Sequence, residues 1–308
     1  MKIVFLDRAT LGFDISLDEF NKFGEVVVYD TTKPTETLSR VKDADIVITN
    51  KVVIDKEIMD NSTLKLVCIA ATGMNNVDLE YAKVKGIEVK NVAGYSTDSV
   101  TQLTFSYVFH FIQQLNYYTS YVNKGNWEKS DIFTHIDKPF YELKDKNWGI
   151  IGLGNIGENV AKIAKSFSCN VSYYSTSGKN NNTNYESKSL DSLLKESDII
   201  SIHCPLNETT TNLLNKSNLN LIKDGAILMN LGRGGIINEA DLANIIDSKE
   251  LYCGIDVVSK EPIEEDSPLL KVENKNRLAL TPHIGWASIE ARKRLVDMII
   301  NNISEYIK

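Results

Sequence analysis

Trp148-Gly149-Ile150-Ile151-Gly152-Leu153-Gly154-Asn155-Ile156-Gly157 decides the fold of this chain. A short apolar run leads directly into a G-x-G-x-x-G loop, and the loop opens an amphipathic helical pattern at Ile156–Phe167. Strand, glycine loop and helix in that order form the context in which this fingerprint is specific. Gly152 allows the tight turn, Gly154 lets a pyrophosphate approach the backbone, and Gly157 lets helix and strand pack closely. The free N–H groups and the helix dipole then favour an anion.

Working outward, β-rich runs alternate with helix-period segments from end to end. Around the loop, strands are expected at Trp148–Ile151, Val171–Tyr174, Ile199–His203, Ala226–Asn230, Gly254–Val258 and Leu278–Thr281, with helices at Leu190–Glu196 and Glu239–Ser248. Upstream, strands fit Ile3–Leu6, Val26–Tyr29, Ile46–Thr49, Leu66–Ala70 and Ile87–Val89. Helices fit Asp18–Phe23, Glu36–Lys42 and Asp78–Lys85. Continuous apolar strands with helical crossovers imply parallel sheets covered on both faces. The fold class is α/β, with two doubly wound units, a flavodoxin-like outer one and a Rossmann nucleotide-binding one.

Two long helical patterns, about Thr97–Tyr121 and Ser288–Ile307, join the units. The second follows the last strand, so the outer domain is expected to be discontinuous, 1–97 plus 288–308, with residues 98–287 inserted as the dinucleotide domain. The cleft between them is the expected active site. Segment 123–147 carries Trp127, Phe133, Phe140 and Tyr141 with few strand signals, and a long aromatic loop of this kind suits a subunit contact. Asn180-Asn181-Asn182-Thr183-Asn184 is expected to be a solvated polar turn with no function.

The bulk numbers exclude several classes. At 308 residues the sequence is long for one core and natural for two. A net charge of −7 disfavours nucleic acid or an anionic membrane as partner. No apolar run approaches the roughly 18 residues of a membrane span, and the N-terminus lacks a signal-peptide pattern. Cys68, Cys169, Cys204 and Cys253 are scattered and form no C-x-x-C pair. They are read as buried reduced thiols of a cytoplasmic protein. His110, His135 and His203 show no metal-ligand spacing and are read as structural, so no metal is expected.

The chemistry-bearing residues follow strand ends. Arg233, between Gly232 and the Gly234-Gly235 pair, succeeds the strand Ala226–Asn230. A guanidinium there can grip a carboxylate and its neighbouring carbonyl in a forked geometry. Asp256, Glu261 and then His283 in Thr281-Pro282-His283-Ile284-Gly285-Trp286 fall near strand ends on the same sheet edge. A carboxylate beside an imidazole fixes its tautomer and stabilises its protonated form. Histidine then suits protonation of the alkoxide formed when hydride reaches a carbonyl. Asp256 either helps orient His283 or contacts the nicotinamide ribose or amide. Beyond Gly157, the position where an acid would bind an adenosine 2′-hydroxyl is Ser175, in Tyr173-Tyr174-Ser175-Thr176-Ser177-Gly178-Lys179. The hydroxyls of Ser175, Thr176 and Ser177 with Lys179 could donate to a 2′-phosphate. Equally, a neutral turn could bind NAD through backbone and water, so NAD(H) and NADP(H) both stay open.

Together these residues resemble the D-isomer-specific 2-hydroxyacid dehydrogenase family over nearly the whole sequence. The landmarks are the glycine loop, Cys204-Pro205-Leu206 with Thr210, Asn230 to Gly234, Asp256 to Pro262 and Pro282-His283. The resemblance implies Arg233, Glu261 and His283 as the catalytic set. It implies Thr72 and Gly73 as substrate-carboxylate amides opposite Arg233, in the loop Ala71 to Asp78, which could instead be an ordinary strand-to-helix turn with Asp78 as its cap. It implies cofactor contacts near Thr101, Asn155, Ile156, Cys204, Pro205, Thr210, Leu231, Gly232, Asp256 and Gly285, and homodimers through the long helix and the 123–147 segment. Ser175 and Gln102 depart from the usual acids of the family. The Ala71–Asn76 and His283–Ser288 stretches look most like its glycerate dehydrogenase and hydroxypyruvate reductase branch, which points to hydroxypyruvate or glyoxylate as substrate. Readings that remain beside it are a D-lactate dehydrogenase, a D-2-hydroxyacid dehydrogenase acting on branched substrates, and a dinucleotide-sensing corepressor-like protein.

Overall fold

The computed structural model describes residues 1–308 and divides them into two compact units, Met1–Ser96 with Trp286–Lys308, and Thr97–Gly285. The outer unit holds β1 (Lys2–Phe5), β2 (Glu25–Val28), β3 (Ile46–Thr49), β4 (Leu66–Ile69) and β5 (Glu88–Lys90), with α1 (Pro34–Val41), α2 (Lys56–Asp60) and α3 (Leu79–Lys85). All strands are parallel in the order β2-β1-β3-β4-β5, the flavodoxin-like arrangement. β3 and β4 are buried along their whole length. Val4, Val47 and Val67 pack with Ile58, Met59 and Ala82 from α2 and α3. Ile3, Ile46 and Leu66 pack with Leu295, Ile299 and Ile303 of the C-terminal helix Ile289–Ile307. Two-sided burial is why these strands read as unbroken apolar runs. The segment expected as a helix at Asp18–Phe23 is a 3-10 helix, and α2 is one short turn that the pattern did not signal.

The second unit starts with α4 (Thr97–Ile112) and α5 (Leu115–Asn123). The single long helix expected here is broken. Gln114 takes a left-handed φ of 51°, and its side chain caps the Phe111 carbonyl at 2.9 Å. Then follow β6 (Asn147–Ile151), α6 (Asn155–Ser166), β7 (Asn170–Tyr174), β8 (Glu186–Ser187), α7 (Leu190–Glu196), β9 (Ile199–Ile202), β10 (Ala226–Asn230), α8 (Glu239–Ser248), β11 (Leu251–Ile255) and β12 (Leu278–Leu280). The parallel order β12-β11-β10-β9-β6-β7-β8 is the Rossmann order extended by one strand. It reverses between β6 and β9, beside the glycine loop.

β11 begins three residues earlier than the expected Gly254–Val258. Leu251-Tyr252-Cys253 belongs to the ladder, pairing with Ala226–Leu228. Asp256 is therefore the first residue beyond the strand. In segment 123–147, beyond the end of α5 at Asn123, only Trp127–Lys129 is helical, and Trp127, Ile132, Phe133 and Ile136 are exposed, Phe133 by 89%.

Candidate active site

The glycine loop fits a dinucleotide on three observations. Gly152 has φ +91°, and a Cβ there would lie 2.7 Å from the Cys204 backbone nitrogen; a Cβ on Gly157 would lie 2.3 Å from the Gly152 carbonyl. The loop is thus pressed against β9 and α6, with Cys204, 2% exposed, as its floor. Above Gly154, by contrast, the space is open. Gly154 is also the N-cap of α6, and no side chain caps that helix start. The result is a helix N-terminus with a clear approach for phosphate.

At the end of β7, Ser175 accepts the Asn180 amide at 3.3 Å, and the Lys179 amide donates to Ser177 Oγ at 3.3 Å. Ser177 and Lys179 are exposed and Thr176 is half-buried. The Asn180–Asn184 turn is not a loosely solvated one. Asn180 Nδ2 donates to the Leu153 carbonyl at 2.6 Å, and Asn182 Nδ2 to Glu158 at 3.1 Å. Asn180 and Asn182 also accept the amides two residues on, which shapes the turn locally, and their Nδ2 groups are left to reach the glycine loop and α6.

The strand-end residues converge at β10, β11 and β12. Arg233 follows β10 and is exposed. Its Nη1 donates to the Gly232 carbonyl at 2.8 Å, its own carbonyl accepts Asn230 Nδ2 at 2.8 Å, and no ion pair holds the guanidinium. Gly234 lies so close to Val258 that a Cβ would meet its carbonyl at 2.0 Å. Val258 in turn donates its amide to Glu261 Oε1 at 3.3 Å. Glu261 Oε2 lies 2.7 Å from His283 Nδ1. The carboxylate can only accept, so Nδ1 carries the hydrogen toward it, and Nε2 is the nitrogen left for a substrate.

Asp256, 3% exposed, is committed to the turn that carries His283. Its carbonyl accepts the His283 amide at 2.9 Å, Oδ1 the Ile284 amide at 2.8 Å and Oδ2 the Gly285 amide at 2.8 Å. It therefore orients His283 through backbone rather than through the ring.

Other candidates stand in supporting positions. Thr210 is buried, donates to the Pro205 carbonyl at 2.7 Å and accepts the Asn207 amide at 2.8 Å, closing the loop after β9. Thr101 is buried in α4 with its hydroxyl on the Thr97 carbonyl. Leu231 packs in the core. In the outer unit, Thr72 and Gly73 follow β4. Thr72 Oγ1 donates to the Val92 carbonyl at 3.0 Å, Asn91 Nδ2 donates to the Thr72 carbonyl at 2.7 Å, and neither the Thr72 nor the Gly73 amide has an acceptor within the protein. Asp78 caps α3 by accepting the Tyr81 amide.

The remaining histidines differ in setting. His135 stacks on Tyr121 at 3.6 Å and bonds the Tyr117 hydroxyl, and His110 packs edge-on against Phe111. His203 is half-buried, but both its ring nitrogens are shut off from solvent without a partner, and that desolvation pushes its pKa down from 6.5 to about 3. Below pH 6.5 the unfolded protein therefore takes up a proton that the fold refuses. Stability falls as pH drops from 6.5 towards about 3, by about 1.4 kcal/mol per pH unit. His203→Leu removes that slope. In urea unfolding the variant gains about 2 kcal/mol on wild type between pH ~7.5 and pH ~5, and parallel slopes would contradict this.

A parallel sheet with a glycine-rich strand-to-helix loop at its switch point, and a cation and an imidazole–carboxylate pair at neighbouring strand ends, points to a class: the nicotinamide-dependent oxidoreductases. A family model described as the NAD binding domain of D-isomer specific 2-hydroxyacid dehydrogenase matches residues 105–285. The chain is 40% identical to a hydroxypyruvate reductase of Blautia hydrogenotrophica, over 100% of this chain and 97% of the relative. It is 33% identical to a glycerate dehydrogenase of Methylorubrum extorquens, over 99% and 96%. Among solved structures, an acyclic imino acid reductase in complex with NADPH and D-Arg superposes with a TM-score of 0.84 at 29% identity, over 100% of this chain and 97% of that one. The chain belongs to the D-isomer specific 2-hydroxyacid dehydrogenase family, and it is an oxidoreductase of the 2-oxo and 2-hydroxy acid type.

Proposed function

We propose that the protein reduces a short 2-oxo acid, hydroxypyruvate or glyoxylate, to the D-2-hydroxy acid, with His283 as proton donor. The observation that carries this is the 2.7 Å Glu261–His283 contact on the sheet edge that also holds the glycine loop and the unpaired Arg233. A nicotinamide dinucleotide held at the glycine loop would supply the hydride. Arg233 binds the carboxylate and polarises the carbonyl oxygen through its fork. The amides of Thr72 and Gly73 are assigned to a substrate carboxylate as hydrogen-bond donors. His283 gives a proton to the developing alkoxide, and Glu261 stabilises the protonated ring. Gly152, Gly154, Asn155, Ile156 and Gly157 are assigned to the pyrophosphate.

NADP(H) is accepted as well as NAD(H), because no carboxylate occupies Ser175 to Lys179 to repel a 2′-phosphate. Ser175→Asp is expected to cut kcat/KM for NADPH by about 10–100-fold through like-charge repulsion, while NADH changes little. Strong selectivity of the wild type for NADH would sink this assignment. The exposed aromatic segment 123–147 supports a homodimer, read by light scattering. The four buried free thiols suit a reducing, cytoplasmic setting.

The reading is tested with hydroxypyruvate, glyoxylate, pyruvate and 2-oxoisocaproate against both reduced cofactors. The highest kcat/KM should fall on hydroxypyruvate or glyoxylate. Preference for pyruvate or 2-oxoisocaproate would move the enzyme to the D-lactate or branched-substrate reading.

A further inference from the structure

We infer that Tyr107, in the middle of α4, is a positioning residue for His283, acting through Thr281 and Asp256. This rests on His283 being the proton donor.

His283 sits at φ +54°, a left-handed conformation that is costly for a residue with a side chain. The turn persists because Asp256 takes the amides of His283, Ile284 and Gly285 in succession. Such a run of amides closing on one residue forms a nest, and its geometry depends on where the carboxylate is held. The carboxylate is held by Thr281, whose Oγ1 donates to Asp256 Oδ1 at 2.6 Å. A hydroxyl has one proton, and Asp256 can only accept, so toward Tyr107 the Thr281 oxygen must be the acceptor. The Tyr107 hydroxyl, hydrogen-bonded to Thr281 Oγ1, is therefore the donor. Burial, with Asp256 adding to it and the Thr281 hydrogen bond opposing, pushes the phenol pKa up, so the proton stays on. The direction Tyr107 to Thr281 to the Asp256 carboxylate to the 284 and 285 amides is thus set by proton inventory, while the His283 amide is held by the Asp256 main-chain carbonyl.

The ring is fixed as well. Tyr107 is 4% exposed, and its ring lies against Gly254 in β11, where a Cβ would come within 2.6 Å of it. That close approach explains a glycine in the interior of a buried strand. The phenol thus reaches the sheet edge from α4 without side-chain freedom, and the turn is tied to the helix as well as to β11.

The test is a double-mutant cycle of Tyr107→Phe and Thr281→Val, with His283→Ala alongside. Tyr107→Phe keeps the packing against Gly254 and should lower kcat by roughly 5–10-fold. Its solvent deuterium isotope effect on kcat should rise and its dinucleotide Kd should stay close to wild type. Thr281→Val should cost roughly 10–100-fold, and adding Tyr107→Phe to it should cost nothing more, because Tyr107 acts through Thr281. Thr281→Ser, which keeps the hydroxyl, should restore most of kcat. Should Tyr107→Phe fold poorly, the Ser against Val comparison at Thr281 still decides, since equal loss in both overturns the inference. A wild-type kcat and isotope effect in Tyr107→Phe, or additive losses in the double variant, would overturn it too. If His283→Ala retains turnover, the reading of the site itself fails. If His283→Ala collapses while Tyr107→Phe is unaffected, only the positioning role does.

Discussion

His283→Ala lowers kcat by about 10²–10⁴-fold, the range a positioned general acid supplies, equivalent to about 3–5 kcal/mol of barrier. Affinity for the reduced dinucleotide persists, because the glycine loop and α6 start at the other side of the sheet's switch point and do not involve the ring. Glu261→Gln removes the charge opposite Nδ1 and gives a smaller loss in the same direction. The separation of effects is the diagnostic. A side chain that only stabilised the turn would lower thermal stability and cofactor binding together. The measurement is steady-state turnover beside fluorescence titration of the dinucleotide, and undiminished turnover refutes the assignment.

Arg233→Gln lowers kcat/KM for the 2-oxo acid by about 10²–10⁴-fold, the loss of two charge-assisted hydrogen bonds at about 1.5–3 kcal/mol each. Arg233→Lys recovers part of this, since it restores the charge but not the planar fork. Arg233 is exposed, bears no ion pair and bonds only the neighbouring Gly232 carbonyl, so its removal breaks a single neutral contact. Folding should be unaffected, and the loss should appear in both KM and kcat if the arginine binds the carboxylate and polarises the carbonyl. A change in thermal stability without a change in kcat/KM would show a structural arginine in a glycine turn.

Much of the fold was legible because parallel strands buried on both faces leave continuous apolar runs, and because the glycine loop sits between a strand and a helix. Arg233, Asp256, Glu261 and His283 were visible for a related reason: each follows a strand, and all those strand ends share one edge. What was not legible depends on contacts distant in sequence or on local side-chain bonding. The break between α4 and α5 carries neither Gly nor Pro and is made by Gln114 capping Phe111. The Asn180 turn looked like solvated loop because its partner, the Leu153 carbonyl, lies 27 residues away. Tyr107 reads as one more apolar position of a buried helix. Its partner is 174 residues distant, and the one local sign of it is Gly254 inside a strand. Asp256 could be placed at the sheet edge, but its three-amide grip on the His283 turn is a property of the folded loop.

The most direct test of the central claim is the product. With hydroxypyruvate and a reduced nicotinamide cofactor, the protein should form one D-glycerate for each cofactor oxidised, resolved by chiral chromatography, and His283→Ala should abolish both signals together. L-glycerate or a racemate, or no oxidation of either cofactor while the dinucleotide still binds, would contradict it. The last of these would leave a dinucleotide-binding protein rather than an enzyme.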